Sequence, residues 1–150
     1  MTRFVPDTSC MIAAVCTWHE HHERAALEIE MRLERGERLF VVAHVLVEAY
    51  SVLTRLPAPY RLSPADAFTL VEENFIKSAR VITLEAHSYR AFLLHARDED
   101  VHGGRIYDAL IATGALKARP AALLTFNKAH FLPFAERGLT IVIPGEGELA

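Results

Sequence analysis

Residues 103–112 read GGRIYDALIA, and residues 113–118 continue TGALKA. Two glycines interrupt the chain, and a helix-length segment follows that is apolar on nearly every side except at Asp108. Ile106, Ala109, Leu110, Ile111, Ala112, Ala115 and Leu116 leave no broad polar face. A lone carboxylate moved into low dielectric takes up a proton or finds a cation. The positive end of the helix dipole favours an acid in the first turn by at most about 1 kcal/mol. That is too little to offset several kcal/mol of desolvation. If this helix is buried, Asp108 needs a partner.

The segments on either side say what kind of fold holds this helix. Arg3–Val5 reads as a short strand ending at Pro6 and Asp7, followed by a helix from Thr8 to about Val15. Thr17 stands three residues before Glu20, a capping-box spacing, and opens an expected helix to about Arg35. Its inward stripe would be His22, Ala25, Ala26, Ile29 and Leu33, with Gly36 closing it. Strands are expected at Leu39–Val42, Arg80–Thr83, Ala122–Thr125 and Leu139–Ile143. Helices are expected at Ala43–Leu56, at Ser63–Phe75 behind an N-cap serine and a first-turn proline, at Glu85–Arg97 and at Ile106–Lys117. This alternation implies a three-layer α/β/α sandwich around a mostly parallel sheet. In such sheets ligands sit beyond the carboxyl ends of the strands, near a topological switch point.

At 150 residues, 51% hydrophobic and 23% charged, the chain suits a single domain over 1–150, with about 144–150 (from PGEGELA) as a loose tail. Its net charge of −3 argues against a protein that coats nucleic acid through a broad basic face. No apolar run reaches the roughly 18–20 residues of a membrane helix, so no membrane partner is expected. MTRFVPDTS lacks the layout of a signal peptide, so the expected location is the cytoplasm. Cys10 and Cys16 are poorly placed for a disulfide and read as core thiols in a reducing compartment.

Three further polar residues occupy places comparable to that of Asp108. Asp7 directly follows the first strand in VPDTS, where an N-cap is the plain alternative, with the hydroxyls of Thr8 and Ser9 beside it. Glu48 lies about 40° from Val52 on the helical wheel, at the edge of the stripe made by Val45, Ala49, Val52 and Leu56. It is either a site residue or an edge residue reaching for water. Asn127 follows the fourth strand in LLTFNKAHF, a turn position, and Thr125 points to the same side. Two of the four come from strand ends and two from helices that an α/β crossover packs against those ends. Gathered acids repel one another by a few kcal/mol per pair at an effective dielectric near ~20. Proton uptake would relieve this, and so would Mg²⁺ or Mn²⁺; an acid cluster without His or Cys favours these hard ions over zinc. Such an ion is the partner Asp108 lacks.

In this order and spacing, strand-Asp-Thr-Ser, VEAYSVLTR, GGRIYDALIA and LLTFNKAHF resemble the PIN-domain family over the whole chain. More narrowly, they are similar to the VapC-type ribonuclease toxins of toxin-antitoxin pairs. The resemblance implies a Mg²⁺- or Mn²⁺-dependent endoribonuclease that hydrolyses RNA with metal-activated water. It implies a cognate VapB-type antitoxin and a homodimer. The family's acids fall on Asp7, Glu48 and Asp108, expected to hold the metal directly or, for Glu48, through water. Its fourth position, often Asp, falls on Asn127, which lowers the negative charge of the site and weakens the case for a second metal. Thr8, Ser9 and Thr125 are candidates to orient water or substrate, and Arg105 to meet a phosphate or sit solvated at the helix start. His130 stands where the family varies and receives no role.

Other features fit plainer explanations. WHEHHER (18–24) crowds three histidines but lacks the HExxH spacing and reads as a surface helix. Arg55, Tyr60 and Arg61 offer cations and a stacking ring for RNA, or a solvated loop. Leu93 and Leu94 read as core rather than a dimer or antitoxin surface. Two competing functions remain: a non-catalytic PIN-like binding module, favoured by Asn127 alone, and a receiver-like phosphoacceptor. The latter would want adjacent acids after the first strand, where Asp7 stands alone.

Overall fold

The computed structural model describes residues 2–146. Strand β1 (Arg3–Pro6) is followed by α1 (Thr8–Val15), α2 (His22–Glu34), β2 (Arg38–Val42), α3 (Ala43–Thr54) and α4 (Pro64–Val71). The chain continues through a π turn at Glu72–Ile76, β3 (Arg80–Ile82), α5 (Ser88–Asp98), α6 (Arg105–Leu116) and β4 (Ala121–Leu124). It ends with α7 (Lys128–Phe131), a 3-10 turn at Leu132–Arg137 and β5 (Leu139–Val142). The five strands pair in parallel in the order β3-β2-β1-β4-β5. β1 lies mid-sheet with Phe4 and Val5 fully buried, and all four residues of β4 are buried, as expected for strands covered on both faces.

The strand order reverses direction at β1, because the chain builds β2 and β3 on one side and then crosses to β4 and β5 on the other. The crevice beyond the carboxyl ends of β1 and β4 is therefore the switch point. Register fixes its geometry: Pro6 pairs with Leu124, and the next amide, Asp7 N–H, donates to the Leu124 carbonyl at 2.9 Å. Asp7 and the segment after β4 are thus neighbours by backbone pairing alone.

α6 approaches the sheet closely at Gly114, where an added Cβ would stand 2.8 Å from a Val42 methyl of β2. The sequence expectation of a helix buried all round is corrected, however. Ala109, Ile111, Ala112, Ala115 and Leu116 are buried, while Arg105 and Tyr107 are exposed and Asp108 is half-buried. At Ser63 the expected cap forms, with its hydroxyl accepting from Asp66 N–H at 3.1 Å ahead of Pro64.

The expected start of α2 at Thr17 does not form. Residues 17–21 make turns, and α2 begins at His22 without a side-chain cap. His22 Nδ1 donates to the Ala13 carbonyl at 2.9 Å, satisfying the end of α1 and pulling the chain into a tight corner instead of a longer helix. The inward stripe also differs. Leu33 is exposed, and Arg32 is buried between Glu28 and Glu37, at 3.4 and 2.9 Å. Leu93, expected in the core, is exposed on α5. Cys10 and Cys16 are free and buried. Of the tail, Pro144 accepts from Arg24 Nε at 2.9 Å and Glu146 pairs with the same guanidinium, while residues 147–150 lie outside the described residues. No described helix is long and apolar enough to cross a membrane.

Candidate active site

Asp7 combines two roles. It caps α1 with an extended backbone, its Oδ1 accepting from Cys10 N–H at 2.9 Å and from the Ser9 hydroxyl at 2.7 Å. Its Oδ2 accepts from the Thr125 hydroxyl at 2.6 Å, across the gap between β1 and β4. Thr125 Oγ1 in turn accepts from Asn127 N–H at 2.8 Å, and Ser9 Oγ accepts from Phe126 N–H at 3.2 Å. Residues 7, 9, 125 and 127 therefore form one hydrogen-bonded network across the switch point.

That network does not neutralise Asp7. The residue is 3% exposed, and no Lys or Arg among the described residues pairs with it. Burial pushes its carboxyl up to about 6; the hydrogen bonds from Thr125, Ser9 and Cys10 pull against that rise, and the Asp108 charge adds to it. Burial and, to a lesser degree, the neighbouring acid raise the cost of the ionised form, a cost that a nearby cation would offset.

One pocket of about 480 Å³ is lined by Asp7, Thr8, Ser9, Glu48, Asp108 and Asn127, together with residues of the α1–α2 corner. All four positions expected from the sequence therefore face one space. Thr125 lies fully buried beneath Asp7. Asn127 precedes α7 but its side chain makes no cap, leaving the amide to the pocket. Arg105 instead lines a neighbouring groove and leans toward Asp108 at 3.8 Å.

Two histidines enter the site without a clear warning from the sequence. His130 Nδ1 lies 2.9 Å from Asp108 Oδ2, brought there by α7 from 22 residues away. His44 Nε2 lies 3.2 Å from Glu48 Oε2, and their i, i+4 spacing on α3 is the one signal that could have found it. Among the described residues neither of those two atoms finds hydrogen-bond geometry, and the buried Thr8 Oγ1 has no hydrogen-bond partner either. His44 also stacks on Tyr107, 5.1 Å away and nearly parallel.

The donor set suits a hard divalent ion: carboxylates, a hydroxyl and an amide oxygen. Among the described residues no three His, Cys, Asp or Glu side chains form a ready-made cage. The site instead offers a buried carboxylate with no Lys or Arg beside it and two buried oxygens, Thr8 Oγ1 and Glu48 Oε2, that accept no hydrogen bond among the described residues. Native proteins rarely leave such oxygens unsatisfied, and a cation with its waters would satisfy them.

An acid-lined pocket at the switch point of a parallel α/β sheet defines a class of protein, and comparison with known chains identifies it. The PIN domain family model matches residues 4–135, and the chain belongs to that family, in its VapC-type branch. Ribonuclease VapC40 of Mycobacterium tuberculosis is 45% identical over 120 residues, covering 80% of this chain and 83% of the relative. Ribonuclease VapC27 of the same species is 35% identical over 131 residues, covering 87% and 82%. Two solved structures share the fold. Mycobacterium tuberculosis VapC20, described as a Sarcin-Ricin loop cleaving toxin, superposes with a TM-score of 0.65 at 18% identity, covering 94% of this chain and 99% of the other. VapBC2 from Rickettsia felis, bound to a promoter DNA fragment, gives a TM-score of 0.64 at 17% identity over 93% and 98%.

Proposed function

We infer that this protein is a metal-dependent endoribonuclease, the toxin of a VapBC-type pair acting in the cytoplasm. One observation carries the catalytic part: Asp7, buried and with no Lys or Arg paired to it among the described residues, faces the same pocket as Asp108 and Glu48. Names of the relatives, ribonucleases VapC40 and VapC27, support RNA as the substrate. The VapBC2 complex supports a VapB-type antitoxin as the partner. A homodimer is part of the same reading.

Asp7 and Asp108 would hold Mg²⁺ or Mn²⁺, with Glu48, Asn127 and Thr8 contributing directly or through water. Such an ion supplies positive charge for the phosphoryl oxygens and acidifies a water beside them. The protein's own part is orientation. Thr125, Ser9 and Cys10 N–H lock both oxygens of Asp7, so its remaining lone pairs have one direction. His130 fixes one Asp108 oxygen in the same way. Glu48 Oε2, which lacks a hydrogen bond, is suited to accept one from the attacking water. Arg105, exposed in the neighbouring groove and 3.8 Å from Asp108, adds a cation near the entering phosphate.

Incubating purified protein with structured RNA and Mg²⁺ or Mn²⁺ tests this reading. Cleavage should need the metal and disappear in Asp7→Asn and Asp108→Asn. Equal cleavage by those variants would assign the activity to a contaminant. A second reading, a metal-binding module without catalysis, draws on Asn127 and on the lack of a three-ligand cage among the described residues. It predicts calorimetric Mn²⁺ binding with no RNA cut.

A further inference from the structure

The corner between α1 and α2 serves two neighbouring surfaces. His19, Glu20 and His21 line the acid pocket. Trp18, the only tryptophan in the chain, stacks on Tyr60 with ring centroids 4.4 Å apart and planes 28° from parallel. Tyr60 comes from a different loop, after α3, so two distant segments are folded together to make this pair. A stack built for stability would bury its rings, because each Å² hidden contributes roughly 25 cal/mol. Here Trp18 remains 44% exposed and Tyr60 43%.

The pair is continuous with the pocket. The Trp18 ring lies 5.9 Å from the ring of His19, which lines the pocket wall. Beside Tyr60, the exposed Arg61 donates its Nε to the Leu56 carbonyl at 2.9 Å. That bond anchors the guanidinium and leaves its terminal nitrogens for an anion. Open aromatic faces next to an anchored cation match a nucleobase followed by its phosphate, and stacking of this kind tolerates any base.

We propose that Trp18 and Tyr60 form a stacking subsite for an unpaired base of the RNA, adjacent to the phosphate that enters between Asp7 and Asp108. The subsite rests on the ribonuclease reading and extends it. It makes the enzyme select loops and single strands over duplex, because a paired base has no free face to offer.

The lone tryptophan reports directly. In stopped flow, mixing the protein with a 12-nucleotide single-stranded RNA and Mg²⁺ should quench Trp18 fluorescence saturably before product forms. The same oligonucleotide with abasic sugars, or as a duplex, should leave it unquenched. Tyr60→Ala should weaken binding of labelled RNA by about 10-fold. Trp18→Ala should raise KM by about the same factor with kcat nearly unchanged, and Trp18→Phe should restore most of it. Circular dichroism checks that each variant is folded. Equal quenching by the abasic strand, or unchanged RNA binding in folded Trp18→Ala and Tyr60→Ala, overturns the subsite. Quenching without any cleavage would remove the ribonuclease reading alone, and cleavage with unaltered KM in both variants would remove the subsite alone.

Discussion

Arg32 on α2 and Asp7 at the end of β1 are buried to nearly the same depth, 1% and 3% exposed, yet the protein surrounds them differently. Arg32 is met by two carboxylates, Glu28 and Glu37, which leave the guanidinium compensated within the fold. Asp7 is met by three neutral donors and faces another acid, so its charge is held in place but not balanced. The first arrangement is complete without anything added. The second lacks a balancing charge among the described residues, and the proposed metal would supply one.

The strongest way to break the comparison is Asp7→Asn. RNA cleavage should fall by on the order of 10²–10³-fold or more, while the melting temperature at pH 7.5 stays level or rises, because an uncompensated buried charge is gone. A large drop in melting temperature would place Asp7 with Arg32 as a structural residue. Arg32→Met should do the reverse. It strands two carboxylates and should cost about 3–5 kcal/mol in urea denaturation, with cleavage per folded molecule preserved. Adding Glu28→Gln and Glu37→Gln to that variant should recover part of the loss.

The pH dependence follows from the direction of the Asp7 shift. Its folded value of about 6 lies above the unfolded 3.8, so the folded state holds the proton more tightly. The stability this contributes is fully present below pH 3.8 and is lost as pH rises through 6. The difference amounts to about 3 kcal/mol. Urea midpoints of metal-free protein should show this decline against Asp7→Asn, and Mg²⁺ should reduce it by favouring the ionised form. Identical pH profiles for the two proteins would contradict it. The smallest effect concerns the opposite wall of the pocket. Gly114→Ala should push α6 from Val42 at a net cost of about 1–2 kcal/mol, overpacking outweighing the gain in helix propensity. Chemical denaturation with a cleavage assay would show whether Asp108 moves with the helix.

Much of the fold was legible because parallel strands buried on both faces announce themselves as short apolar runs, as at Leu39–Val42 and Ala122–Leu124. Asp7, Asn127 and Thr125 could be read from their places after strands, since register brings those ends together. What escaped depends on contacts between distant segments. His130 reaches Asp108 only because α7 and the following 3-10 turn, neither evident as periodic sequence, carry it there. Arg32 sits among glutamates in a helix that looks solvated, and its burial depends on Glu37 beyond the helix end. At Thr17 a correct local capping spacing lost to a tertiary bond, His22 to Ala13. Asp108 drew attention as the buried acid from its apolar neighbours, yet its side chain is 24% exposed, and Asp7 is the deeper of the two.

The pairing of Pro6 with Leu124 sets a limit on how this chain can vary. Side chains alternate between faces along a strand, so one residue inserted into or deleted from β1 or β4 would turn Asp7 or Thr125 away from its counterpart. The apolar letters in those strands can be exchanged for others of similar bulk, but their number cannot. In related chains, strand length should therefore be kept more strictly than strand composition.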